Sequence, residues 1–154
     1  MSLIIVIDDE KRQQEIIKAI LEDEGYEVLT ASSAEEGLEL ISKFNPDVIL
    51  SDLKMGGKSG VELLETIPPM PVKPAFIIMT AFGTISSAVE AIKKGAFDYL
   101  TKPLEKEVIL LTIKKAIERI DLLKENLRLQ DELFGKFRIE GIVGTSKKMK
   151  EVIE

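Results

Sequence analysis

The chain has 154 residues, 45% of them apolar, a net charge of −6, and neither cysteine nor histidine. That is enough for one domain with a full core, and it excludes disulfides, thiolate metal sites, imidazole catalysis and a phosphohistidine carried by this chain. The acidic balance argues against a grip on DNA by this segment; with no membrane-length apolar run and no signal-peptide architecture in MSLIIVIDD, the expected setting is the cytoplasm.

Leu3 to Ile7 form a continuous apolar run, the pattern of a parallel strand covered on both faces. A helical pattern follows through Ile16, Ile17, Ala19, Ile20 and Leu21, stopped by Gly25 as the C′ residue. YEVLTA, residues 26–31, predicts a weaker strand at a sheet edge, and Ser33 with Glu36 predicts a capping box opening a helix through Phe44. The alternation then repeats: a strand from Val48 to Ser51, a helix from about Gly60, a strand over 75–79, a helix from Ile85 to Lys94 closed by Gly95, a strand over 97–100, and a final helix. IPPMPVKP, residues 67–74, holds four of the six prolines and predicts a stiff surface connection.

Five strands alternating with five helices predict an α/β fold, a parallel sheet with helices on both faces. Right-handed crossovers make the flavodoxin-like order 2-1-3-4-5 the natural topology at this size. Ligands in that fold collect at the carboxyl ends of the strands. The residues expected there are Asp8 and Asp9 after the first strand, Asp52 after the third, Thr80 after the fourth and Lys102 after the fifth.

Singly, each has an ordinary reading: Asp9 a helix cap, Asp52 a turn residue, Thr80 a strand threonine, Lys102 a solvated charge. Gly57-Lys58-Ser59 looks like the tail of a nucleotide-binding P-loop, but the position of that motif's first glycine is Asp52, a like charge to phosphate. Jointly the acids say more. Three carboxylates at one sheet edge repel unless a cation lies among them, and their all-oxygen character favours Mg²⁺. Such a site suits phosphoryl transfer onto Asp52, which demands positioning and charge neutralisation. Lys102 would neutralise part of the phosphoryl charge and the Thr80 hydroxyl would donate a hydrogen bond.

IDDE after the first strand, SDLKM around Asp52, MTA after the fourth strand and DYLTKP at the fifth resemble the signature of receiver domains of two-component response regulators. The resemblance covers residues 1–120 and implies a (βα)5 receiver. It implies that Asp52 is the phosphoacceptor, Asp9 a direct Mg²⁺ ligand, Asp8 a ligand through water, and the Lys54 backbone carbonyl a further ligand. Thr80 and Tyr99 take the switch positions, Lys102 contacts the phosphoryl group, and Lys102-Pro103 is expected to be cis. One departure stands out: Gly56, followed by Gly57, occupies the place of the family's usual loop proline.

Residues 79–103 are similar to receivers of NtrC-type sigma-54-dependent transcription activators, and residues 139–154 to the entrance of the AAA+ ATPase domain of those activators. The resemblance implies a fragment, not itself an enzyme, of a longer ATPase that acts on sigma-54 RNA polymerase and DNA. Its phosphoryl donor would be a separate sensor histidine kinase. From Glu105 to Phe134 there is neither proline nor glycine, and Ile113, Ala116, Ile120, Leu123, Leu127, Gln130 and Phe134 recur at spacings of three and four. That predicts a last receiver helix continuing as a coiled-coil linker over 105–135 and a homodimer through it, with Ile120, Leu123 and Leu127 otherwise facing water. A haloacid-dehalogenase-type phosphatase is the rival enzyme reading, but it needs a second acid where this chain has Lys54. A flavodoxin-like nucleotide site is disfavoured by the glycine-free first loop.

Overall fold

The computed structural model of the chain describes residues 2–54, 59–80 and 85–143, except the side chains of 85, 87, 88 and 134–143. The described residues form β1 (Leu3–Ile7), α1 (Lys11–Asp23), β2 (Glu27–Ala31), α2 (Ala34–Phe44), β3 (Val48–Asp52), α3 (Gly60–Thr66), β4 (Ala75–Thr80), α4 (Ile85–Lys93), β5 (Asp98–Thr101) and α5 (Lys106–Val143). All strand pairs are parallel and the sheet order is β2-β1-β3-β4-β5, the flavodoxin-like topology expected from the alternation.

Period-two alternation along the strands sends side chains to two separate apolar layers. Ile4, Val6, Val48, Leu50, Ile77 and Met79 pack on one face against α1 and α5. Ile5, Ile7, Ile49, Phe76 and Ile78 pack on the other against α2, α3 and α4. Covering both faces makes β1, β3 and β4 almost wholly apolar, and this is why they read so clearly in sequence.

Helix ends follow local chemistry. Gly25 takes φ +91°, while its N–H donates to Glu22 O and that of Tyr26 to Leu21 O, closing α1 with a Schellman motif. Gly95, at φ +115°, closes α4 in the same way. The box expected at α2 is half formed. Ser33 Oγ accepts from Glu36 N, but the Glu36 carboxylate accepts from Ser32 N. A complete box opens α3, with Ser59 and Glu62 exchanging both bonds. Residues 67–74 contain no helix or strand, and the Lys102-Pro103 peptide is cis.

On α1, Gln14, Ile17 and Leu21 are the buried residues, Ile20 packs beside them and Ile16 is exposed. The expectations for the last helix need correction. On α5, Ile113, Ala116 and Ile120 are at most 2% exposed and belong to the chain's own core, so Ile120 does not face water. Those positions seal the sheet, each large aliphatic contributing roughly 1.5–3 kcal/mol of burial. The helix also continues past Gly135 to Val143.

The chain divides into two compact units, Met1–Ile120 and Asp121–Glu154. In the second, Leu122, Leu123, Leu129 and Leu133 are exposed, and Arg128 bridges Glu125 and Glu132 along the helix. Gly56-Gly57 and most of the segment similar to an ATPase entrance, from residue 144 onward, lie outside the described residues.

Candidate functional site

Four parallel strands deliver the expected residues to one edge. Asp8 follows β1 directly, Asp52 and Thr80 are the last residues of β3 and β4, and Lys102 follows β5. The ladders extend one bond past the strand ends and fix the departing loops. Asp8 N donates to Ala31 O at 3.0 Å, Leu53 N to Met79 O at 2.8 Å and Lys102 N to Thr80 O at 2.8 Å.

One carboxylate oxygen from each of Asp8, Asp9 and Asp52 lies within 4.8 Å of the others. Asp8 and Asp52 are buried and Asp9 is exposed. Lys102 Nζ is 3.1 Å from Asp52 Oδ2 and 3.9 Å from Asp8 Oδ2. The other Asp52 oxygen accepts from Lys54 N at 3.3 Å, and Asp8 Oδ1 accepts from Glu10 N at 2.9 Å. Asp8 Oδ2 is buried without a hydrogen-bond donor. An orphaned buried anionic oxygen is costly, and a second and third carboxylate beside it raise the cost.

The electrostatics agree. Burial pushes the Asp8 carboxyl up to about 6; the Glu10 amide opposes the rise, the Asp52 charge adds to it, Lys102 opposes it and Asp9 adds to it. For Lys102, burial acts to lower the ammonium value, but the Asp52 hydrogen bond and the charges of Asp52, Asp8 and Glu10 outweigh it, so Lys102 stays charged. Among the described residues, Lys102 pairs with two of the three clustered acids, Asp52 and Asp8. Hard oxygen donors, a charge excess and an unpartnered buried oxygen fit a small divalent cation.

Thr80 is 1% exposed at the end of β4, and Tyr99 is half-buried on β5, where it pairs with Ile78 and packs against the α2–α3–α4 side of the core. Lys54 is exposed just after Asp52. Sequence reasoning thus found the charged residues, but it passed over two neighbours. Gly60, the first residue of α3, approaches so closely that a Cβ there would lie 2.6 Å from the Asp52 carbonyl oxygen. Gln14 is a buried polar residue on the inward face of α1. A glycine immediately after a capping serine was the available signal for the first; nothing in the spacing marked the second.

Among the described residues, no helix is long and apolar enough to cross a membrane. The model of the response regulator receiver domain matches residues 4–114. An NtrX-like response regulator of Rickettsia bellii is 34% identical over 162 residues, covering 100% of this chain and 33% of that protein. The transcriptional regulatory protein GlrR of Escherichia coli is 37% identical over 120 residues, 75% of this chain and 26% of that one. A crystal structure of a receiver domain protein from Clostridium thermocellum superposes with a TM-score of 0.75 at 41% identity, over 80% of this chain and 99% of that one. NtrX from Brucella abortus, solved with ADP, gives 0.78 at 32% identity, over 84% and 30% respectively. The chain spans about a third of the length of the first two NtrX-like relatives it matches.

Proposed function

The chain belongs to the response regulator receiver domain family, and on that premise we propose that Asp52 accepts a phosphoryl group from the phosphohistidine of a sensor kinase. Asp9, Asp52 and the Lys54 carbonyl would hold Mg²⁺ directly, with Asp8 reaching it through water. The observation that carries this reading is the Asp52–Lys102 pair beside the buried, donor-less oxygen of Asp8.

Asp52 supplies a carboxylate oxygen as nucleophile. An O–P bond forms as the donor's P–N bond breaks, and the departing imidazole nitrogen keeps the electron pair. Lys102 moves its hydrogen bond from Asp52 to a phosphoryl oxygen, and the Thr80 hydroxyl donates to another. Bound Mg²⁺ supplies the positive charge that lets three acids and an incoming phosphoryl group share one site. These 154 residues hold no histidine, so the donor phosphohistidine lies outside them.

Thr80 and Tyr99 form the switch. Drawing the Thr80 hydroxyl toward the phosphoryl group frees space on the β4–β5 side, into which the half-buried Tyr99 turns, carrying β4, β5 and the helices after them as one bistable element. The NtrX-like relatives favour an output through a sigma-54-activating ATPase in a longer cytoplasmic protein, and thus control of transcription. Leu123 and Leu127 would form the linker's dimer seam. Four such side chains per dimer give roughly 6–12 kcal/mol gross against about 4–15 kcal/mol for association, so exposed Val108 and Leu111 on α5 and Ile92 on α4 must add to the interface.

The test is acetyl phosphate with Mg²⁺ followed by intact-protein mass spectrometry. One phosphoryl group should appear on the parent and none on Asp52→Asn or in excess EDTA. Equal labelling of the variant, or labelling in EDTA, overturns the assignment.

A further inference from the structure

We infer that Gln14 is a positioning residue for the cation site, a buried amide that holds the acid-bearing β1–α1 loop in register with the end of β2. The inference rests on the reading of Asp8, Asp9 and Asp52 as a Mg²⁺ site. Gln14 is 4% exposed, and its Nε2 group lies 2.5 Å from Asp8 O, 3.0 Å from Ala31 O and 3.1 Å from Ser32 Oγ. Two of these three atoms are carbonyl oxygens, which can only accept, so the amide nitrogen, not its oxygen, must face them.

The contact with Asp8 is the consequential one. The loop from Asp8 to Glu10 carries two of the three clustered carboxylates, which repel each other and Asp52. Asp8 N and Gln14 Nε2 both donate to Ala31 O, and Gln14 Nε2 also takes the Asp8 carbonyl. Gln14 N donates to Glu10 O at 3.1 Å, so one residue binds the loop at both its first and last positions. With the backbone fixed there and Glu10 N on Asp8 Oδ1, Asp8 Oδ2 is left without a hydrogen-bond donor, 3.9 Å from Lys102 Nζ. The side chain of Gln14 touches no reacting atom; it acts through Asp8. A neutral double donor suits this place. A carboxylate would repel both carbonyl oxygens, and an apolar side chain would leave the Asp8 carbonyl without this partner.

Calorimetric Mg²⁺ titration of the parent, Gln14→Leu and Ser32→Ala tests the inference. Loss of an outer partner that orients a metal ligand weakens affinity by about 10–100-fold, so Gln14→Leu should bind at least tenfold more weakly. Ser32→Ala, which keeps both carbonyl contacts, should bind like the parent. With acetyl phosphate, Gln14→Leu should need about tenfold more Mg²⁺ for half-maximal labelling yet approach the parent's rate at saturation. A Gln14→Leu protein with lowered melting temperature but unchanged Mg²⁺ affinity makes the residue merely structural and overturns the inference. A parent that binds no Mg²⁺ overturns the underlying site instead. If Gln14→Leu does not fold, the parent decides by NMR. Its Gln14 side-chain amide resonances should shift along the same Mg²⁺ titration curve as the Glu10 backbone amide, and indifference to Mg²⁺ contradicts the inference.

Discussion

Replacing Asp8 with Asn removes a charge that the fold holds at a cost. Burial raises the Asp8 carboxyl from 3.8 to about 6. A carboxyl raised on folding favours the folded chain only while protonated. Its contribution is complete below about 3.8 and is lost as pH rises through about 6. Roughly two units at about 1.36 kcal/mol each make the full loss about 3 kcal/mol. In EDTA at pH 8, Asp8→Asn should therefore be about 1–3 kcal/mol more stable than the parent, the lower end reflecting imperfect partners for the new amide. At pH 5 about one unit of the penalty is relieved, so the gap should narrow by about 1.4 kcal/mol. Thermal melting reads this as a rise of roughly 2–4 °C per kcal/mol. Saturating Mg²⁺ should reverse the order, because the parent's extra anionic ligand then stabilises the bound state. A variant no more stable than the parent at pH 8 in EDTA, or a gain of equal size at both pH values, refutes the reasoning.

Gly60→Ala places a Cβ 2.6 Å from Asp52 O and 3.3 Å from Leu53 Cα, both backbone atoms that cannot step aside, so urea unfolding should show a loss of about 1–3 kcal/mol; an unchanged midpoint contradicts the close approach. Thr80→Ala should still take up phosphoryl from acetyl phosphate but change assembly state weakly on doing so, and a full response in sedimentation would route the signal away from Thr80. The pair Leu123→Asp, Leu127→Asp should lower self-association at least tenfold in sedimentation equilibrium, and a double variant that dimerises as well as the parent removes the seam from the account.

The strands β1, β3 and β4 were legible because a sheet covered on both faces demands continuous apolar runs. The ends of β1 and β3 place Asp8 and Asp52, while Lys102 follows the short, partly exposed β5. Helix faces were less so. On α1, the polar Gln14 turns inward beside Ile17 and Leu21 because acceptors from two loops converge on its amide, a fact of tertiary geometry invisible to local periodicity. On α5, one stripe at three-and-four spacing serves two physical purposes. Packing on a sheet and packing on another helix demand the same side chains, and only burial separates Ile120 from the exposed Leu123. The expected stop at Gly135 failed for a simpler reason. A glycine costs about 1 kcal/mol relative to alanine inside a helix, which a long helix absorbs.

The acids and lysine gathered at the strand ends favour Asp52, and no other group, as the proposed phosphoryl acceptor. Borohydride reduction of the acetyl phosphate-treated chain, followed by peptide sequencing, tests it most directly. An aspartyl phosphate is reduced to homoserine, whereas a phosphorylated hydroxyl is not. Homoserine is expected at position 52 only, and only after labelling with Mg²⁺. Homoserine at position 8 or 9, or a stable phosphate on Ser51 or Thr80, would contradict it.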